Sequence, residues 1–209
     1  MIATLFKTHP DNPEMRKISQ VVECLRSGGV IIYPTDTVYG LGCDIHNQKA
    51  VEKICQIKKI NPKKRKNLSF ICNDLSHIAE YARIGNATFK LMKKALPGPY
   101  TFILETSSRV PKILNISKKN VGIRIPDNNI ARLIVKELGN PIITSSVLAE
   151  DEVVKYLTDP EDIYEQYKHK VDLVIDGGNG SNVGSTIIDC SDDNVTVLRQ
   201  GAGDIMQFI

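Results

Sequence analysis

The chain has 209 residues, of which 42% are hydrophobic, 24% charged and 6% aromatic, and a formal net charge of +3. That balance excludes a collagen, a disulfide-stapled miniprotein and a wholly disordered chain, and the length fits one large domain better than two small ones. No apolar run approaches the ~20 residues that span a bilayer. The opening MIATLFKTHPDNPEM lacks a basic n-region, a long apolar stretch and a small-residue cleavage site, so a cytoplasmic protein with no membrane partner is expected.

In chain order, Ile2–Phe6 reads as a short strand. A helix follows near Pro13, with Asp11 and Asn12 as candidate caps; Ile18, Val21, Val22 and Leu25 recur at helical spacing until Gly28-Gly29. Val30–Tyr33 is a strand-like apolar run, and Pro34–Gly42 (PTDTVYGLG) is polar and glycine-punctuated enough to predict a loop and turn. Gln48–Lys58 is an amphipathic helix, Leu68–Cys72 a strand, and Leu75–Tyr81 and Thr88–Leu96 are helices, the second stopped by Pro97-Gly98-Pro99. Thr101–Leu104, Val121–Ile125 and Pro141–Ser145 predict strands, with a helix over Asn128–Leu138 ended by Gly139. Val147–Thr158 is acidic and has no clear period; Pro160–Tyr167 predicts a helix. Val171–Asp176, Ser185–Cys190 and Val195–Arg199 predict late strands around the glycine-rich stretch Gly177–Gly184. Strands alternate with helices, so the class is α/β, with some antiparallel pairing late in the chain. No repeat or low-complexity linker divides it.

Cys24, Cys43, Cys55, Cys72 and Cys190 form no CxxC, and no histidine stands at i, i+4 from a second His or Cys. Neither a structural zinc site nor a disulfide framework is expected, and the thiols read as buried groups in a reducing compartment. Charge is concentrated instead: Lys58, Lys59, Lys63, Lys64, Arg65 and Lys66 put six cations in nine residues. Removing those six from the net +3 leaves the rest of the chain at −3. Lys63, Lys64, Arg65 and Lys66 are either a phosphate or RNA patch or a solvated loop.

Five segments carry candidate chemistry. PTDTVYGLG follows a buried strand and offers Thr35, Asp36, Thr37 and Tyr39 for directional hydrogen bonds, or is a capped turn. Lys58 lies one turn after Ile54 and either snorkels or points into a cleft. Arg124 sits inside the apolar strand GIRIP and must meet an anion or an acid. Thr144-Ser145-Ser146 at a strand end could hold phosphate oxygens or form a polar turn. Gly177–Thr186 matches neither a P-loop nor a dinucleotide fingerprint, and a flexible linker is its simplest reading.

Taken in order, PTDTVYGLG, a helix ending in Lys58, PGPYTFIL, GIRIP, TSS, GSTIID and VLRQGAGDI resemble the YrdC/YciO family over about residues 10–205. The resemblance implies a single YrdC-like domain: a twisted open mixed sheet flanked by helices, with a positively charged concave face that takes nucleotides and double-stranded RNA or tRNA. It also implies threonylcarbamoyl-AMP synthesis from threonine, bicarbonate and ATP with Mg²⁺, for the t6A base of tRNA. By matched position, Thr35 and Tyr39 would help hold threonine. Lys58, Thr101, Arg124 and Ser146 would contact threonine, ATP phosphates or the intermediate, with Lys58 and Arg124 as catalytic cations. Ser185 and Arg199 would line the nucleotide side. Two positions depart from the synthase pattern. The Lys-x-Arg motif reads Lys58-Lys59-Ile60, and Ser-x-Asn reads Ser146-Val147-Leu148. That pattern resembles the YciO branch, whose members could instead bind RNA without synthase activity or hydrolyse a related adenylate.

Overall fold

The computed structural model describes residues 2–60, 68–111, 120–148, 156–192 and 194–208. Among these the elements run β1 (Thr4–Lys7), α1 (Met15–Arg26), β2 (Ile31–Tyr33), β3 (Gly40–Asp44), α2 (Gln48–Ile57), β4 (Ser69–Ile71), α3 (Leu75–Tyr81), β5 (Ala82–Arg83), α4 (Asn86–Ala95), β6 (Tyr100–Thr106), β7 (Asn120–Arg124), α5 (Asn129–Leu138), β8 (Ile142–Ser146), α6 (Pro160–Tyr167), β9 (Leu173–Asp176), β10 (Thr186–Asp189) and β11 (Thr196–Arg199). All the strands join one mixed sheet in the order β1-β9-β2-β3-β8-β4-β7-β6-β10-β11, with β5 paired to β6 beside that path. The late strands do not form a separate layer: β9 inserts parallel between β1 and β2, and β8 inserts antiparallel between β3 and β4.

The period of two along each strand sorts side chains to the two faces. Ile31, Tyr33, Ile71 and Ile142 pack with α1 and α5 through Ile18, Leu25, Ile130 and Ile134. Their neighbours Ile32, Phe70 and Ile143 face the opposite core, with Ile54 of α2, Ile78 of α3, Met92 of α4 and Ile163 of α6. The first face is only partly covered. Beyond α1 and α5 it continues over β4, β7, β6 and β10, and there the strands carry hydroxyls and charge among their aliphatic groups.

Three expectations need correction. Pro34–Gly42 is not loop throughout, because Gly40–Asp44 is a fully buried central strand. Its glycines are explained by Tyr33, whose ring lies over β3 so that the phenol donates to Thr144 Oγ1 on β8 at 2.7 Å. A Cβ on Gly40 would stand 2.8 Å from Tyr33 Cζ, and one on Gly42 2.9 Å from Tyr33 Cε1. Glycine punctuation here marks close packing rather than a turn. Asp11 and Asn12 do not cap α1. Their amides donate to His9 Nδ1 in a preceding turn, and the Glu14 amide is received by Thr8 Oγ1 at 3.3 Å. The glycine-rich stretch after β9 is not a free linker either. Tyr39 donates to the Gly178 carbonyl at 2.6 Å, Gly180 N–H to Thr158 O at 2.8 Å, and Ser181 N–H to Thr37 O at 2.9 Å. The basic positions Lys63, Lys64, Arg65 and Lys66, and residues 149–155 of the acidic segment, lie outside the described residues.

Candidate functional site

A cavity of about 570 Å³ opens on the uncovered sheet face. Alternate residues of neighbouring strands form its floor: Ser69 and Ile71 on β4, Gly122 and Arg124 on β7, Thr101 and Ile103 on β6, Ile187 and Asp189 on β10. Thr144 and Ser146 of β8, Thr35, Val38 and Tyr39 of the β2–β3 loop, and Lys58 and Ile60 after α2 make one wall. Ser185, Leu198 and Arg199 stand at the other strand edge. Thus Thr35, Tyr39, Lys58, Thr101, Arg124, Ser146, Ser185 and Arg199, drawn from segments far apart in the chain, all border one space. Its volume is that of a small-molecule site.

Arg124 is the most constrained cation. Its side chain is 9% exposed and forms an ion pair with Asp36, itself 10% exposed. One terminal nitrogen donates to Asp36 Oδ1 and the other to Thr37 Oγ1 at 2.9 Å. Its Nε is buried without a hydrogen-bond partner. Burial pulls the guanidinium below its ordinary value, and the Asp36 charge opposes that shift. A buried donor with no partner is uncommon in folded proteins.

Lys58 is the C-cap residue of α2. Its Nζ donates to the Ser146 carbonyl at 2.8 Å, bridging the helix end to β8. Burial lowers its pKa to about 8. Arg199 sends Nε and Nη2 to the single carbonyl of Ser185, at 3.2 and 2.6 Å. The Ser185 and Thr101 hydroxyls bond each other at 2.7 Å.

The hydroxyls of Thr35 and Tyr39 are already engaged. Thr35 donates to Val38 O at 2.7 Å and accepts the Thr37 amide at 3.1 Å. The Tyr39 phenol donates to Gly178 and accepts the Gly177 amide at 3.3 Å; burial pushes its pKa up to about 12. Both residues border the cavity with their hydroxyls already committed, and those hydroxyls shape the loop. Ile60 and Leu148 both border the cavity and make part of its rim apolar. Asp36 was visible within the PTDTVYGLG motif but not as the partner of Arg124, which lies 88 residues away. Thr144, in the segment Thr144-Ser145-Ser146 singled out from the sequence, also borders the cavity, two residues before Ser146 on β8. Among the described residues no group of three His, Cys, Asp or Glu could hold a metal ion, and no helix is long and apolar enough to cross a membrane.

An open mixed sheet with helices on both sides, and a cavity lined by cations and hydroxyls on its partly open face, define an α/β protein with a small-molecule-sized cavity. The model of the Sua5/YciO/YrdC family, described as telomere recombination, matches residues 23–201, and the chain belongs to that family. It is 41% identical to the Escherichia coli strain K12 protein YciO, described as uncharacterized, over 100% of both chains. The crystal structure of E. coli YciO matches with a TM-score of 0.90 at 40% identity, again over 100% of both chains. A threonylcarbamoyl-AMP synthase of Coxiella burnetii is 32% identical over 172 residues, covering 79% of this chain and 87% of its own. The crystal structure of P. abyssi Sua5 complexed with L-threonine matches with a TM-score of 0.85 at 26% identity, covering 95% of this chain and 58% of that one. The family thus includes threonylcarbamoyl-AMP synthases.

Proposed function

We propose that the cavity binds L-threonine and ATP and joins them through bicarbonate into threonylcarbamoyl-AMP, releasing pyrophosphate. The observation that carries this reading is the buried Arg124, held beside the cavity with one nitrogen unpartnered, in a chain related to a Sua5 complexed with L-threonine. The threonine amine attacks the carbon of bicarbonate and water is lost, giving a carbamate. A carbamate oxygen then attacks the α-phosphorus of ATP, and the bond from that phosphorus to the pyrophosphate oxygen breaks. No protein nucleophile is needed. Negative charge gathers on the α-phosphoryl oxygens, and fixed donors that meet it there lower the barrier.

Lys58 and Arg124 are the cations suited to that charge, with Thr101 and Ser146 as hydroxyl donors. Ser185 and Arg199 line the nucleotide side. Thr35 and Tyr39 contribute shape to the threonine side. Mg²⁺ enters with ATP as part of the substrate. The product would supply the t6A base of tRNA, and a tRNA or double-stranded RNA would meet the protein through Lys63, Lys64, Arg65 and Lys66.

Ile60 and Leu148 favour a second reading. They replace the arginine and asparagine of the synthase pattern with groups that cannot donate to phosphate. A cavity so altered suits a preformed carbamoyl-adenylate that is bound, or cleaved by water, rather than made.

The test is incubation of purified protein with ATP, Mg²⁺, threonine and bicarbonate, followed by chromatography of the nucleotides. Product and pyrophosphate that require both threonine and bicarbonate are expected. Folded protein that gives none refutes the synthase, and supplying threonylcarbamoyl-AMP to look for AMP release then tests the second reading.

A further inference from the structure

Arg124 is gripped from the adjacent residues of one loop. Asp36 Oδ1 receives one terminal nitrogen and Thr37 Oγ1 the other at 2.9 Å. The second Asp36 oxygen accepts the Asp127 amide at 3.1 Å, just past the end of β7. The hydroxyl protons on the loop have one order. Thr35 spends its hydrogen on Val38 O, so across the 3.2 Å contact between the two threonine hydroxyls Thr37 must be the donor, leaving its lone pair to Arg124. With both terminal nitrogens held, the planar guanidinium cannot turn. Each terminal nitrogen keeps a second hydrogen, and Nε is the one guanidinium nitrogen with no partner at all.

We infer that Asp36 is a positioning residue that fixes the Arg124 guanidinium beside the cavity, so that its unused N–H donors are kept in place for an anionic group of the cavity ligand. The inference rests on the reading above that the cavity binds threonine and ATP. The competing view is a plain buried ion pair that fastens the loop to β7. The two differ in how Asp36 and Arg124 combine. A fastening adds its effect to any other lesion, whereas a residue acting through Arg124 has no effect once Arg124 is gone.

The experiment compares the full-length protein with Asp36→Asn, Arg124→Gln and the double variant. L-threonine affinity is read by calorimetry in the presence of ATP, and the Arg124 Nε–H signal by NMR of ¹⁵N-arginine-labelled protein. Asp36→Asn is expected to weaken threonine binding about tenfold or more in the parent, the scale of a lost hydrogen bond to a charged group. In the Arg124→Gln background it should change nothing further. The Arg124 Nε–H signal should be sharp in the parent and lost to exchange in Asp36→Asn. Multiplying effects in the double variant, or a signal that stays sharp without the carboxylate, would overturn the inference. If Asp36→Asn does not fold, Thr37→Val removes the other half of the grip and is read in the same two ways. If the parent protein binds no threonine, the functional reading fails first, and the Arg124 signal alone decides whether Asp36 positions it.

Discussion

Lys58 ties the electrostatics of the cavity to the stability of the whole chain. Its ammonium has a carbonyl for a partner, and no acid among the described residues pairs with it. Burial alone takes its pKa from 10.5 to about 8. Below about pH 8 the amine is protonated in both the folded and unfolded chain, and the folded state bears the full cost of sheltering that charge. Between about 8 and 10.5 the unfolded chain keeps a proton that the folded chain has released, so stability rises with pH and the cost is gone above the upper value. At 1.36 kcal/mol per pH unit the interval is worth roughly 3 kcal/mol, and water in the open cavity reduces it to about 1–2 kcal/mol. Lys58→Met keeps the stem and removes the titration. Urea unfolding of both proteins, from neutrality to about pH 10.5, gives a difference from which every other titrating group cancels. The native protein should gain about 1–2 kcal/mol on the variant across that window. A difference that stays flat would refute the desolvated lysine. A phosphate or carboxylate bound beside the ammonium should move the window to higher pH.

Restoring the synthase-like groups with Ile60→Arg and Leu148→Asn together should raise threonylcarbamoyl-AMP formation by about 10²-fold, the usual worth of a charge-stabilising donor. Pyrophosphate release would measure it, and no gain would mean that these two side chains are not what sets the rate. Gly40→Ala drives a methyl into Tyr33 and Thr144 and should cost about 1–3 kcal/mol by overpacking. In a chain of this size that lowers the melting temperature by about 2–4 °C per kcal/mol, and an unchanged melting curve would show that the ring has room to move.

Two helices were legible in the sequence to the residue, whereas the helix expected over Thr88–Leu96 forms over Asn86–Ala95. Leu75–Tyr81 and Pro160–Tyr167 form with the bounds expected of them. β3 was not, because GLGCD shows neither alternation nor β-branched residues; its identity depends on a tyrosine seven residues earlier that needs bare backbone to lie across. The two-residue β5 is too short to leave any pattern and exists only as a pairing with β6. In the site, residue type marked Arg124 as requiring an anion or an acid. It could not show that Asp36 meets the requirement while leaving Nε over. Likewise Thr35 and Tyr39 look like free hydroxyls in one dimension, and three-dimensional neighbours account for both.

The interleaved strand order has a consequence for how the chain is made. β3 and β4 both lean on β8, and β1 and β2 are joined only through β9. A ribosome that has not yet released Ile142–Ser146 has delivered two central strands with no strand between them. Until Leu173–Asp176 emerges, the first strand of the chain has nothing to pair with. The β2–β3 pair and the group of β4, β7, β6 and β5 can form earlier, but β8 alone joins them, so the sheet is completed from its middle late in synthesis. Such an order makes for slow folding and for a nascent chain that carries exposed strand edges for most of its translation.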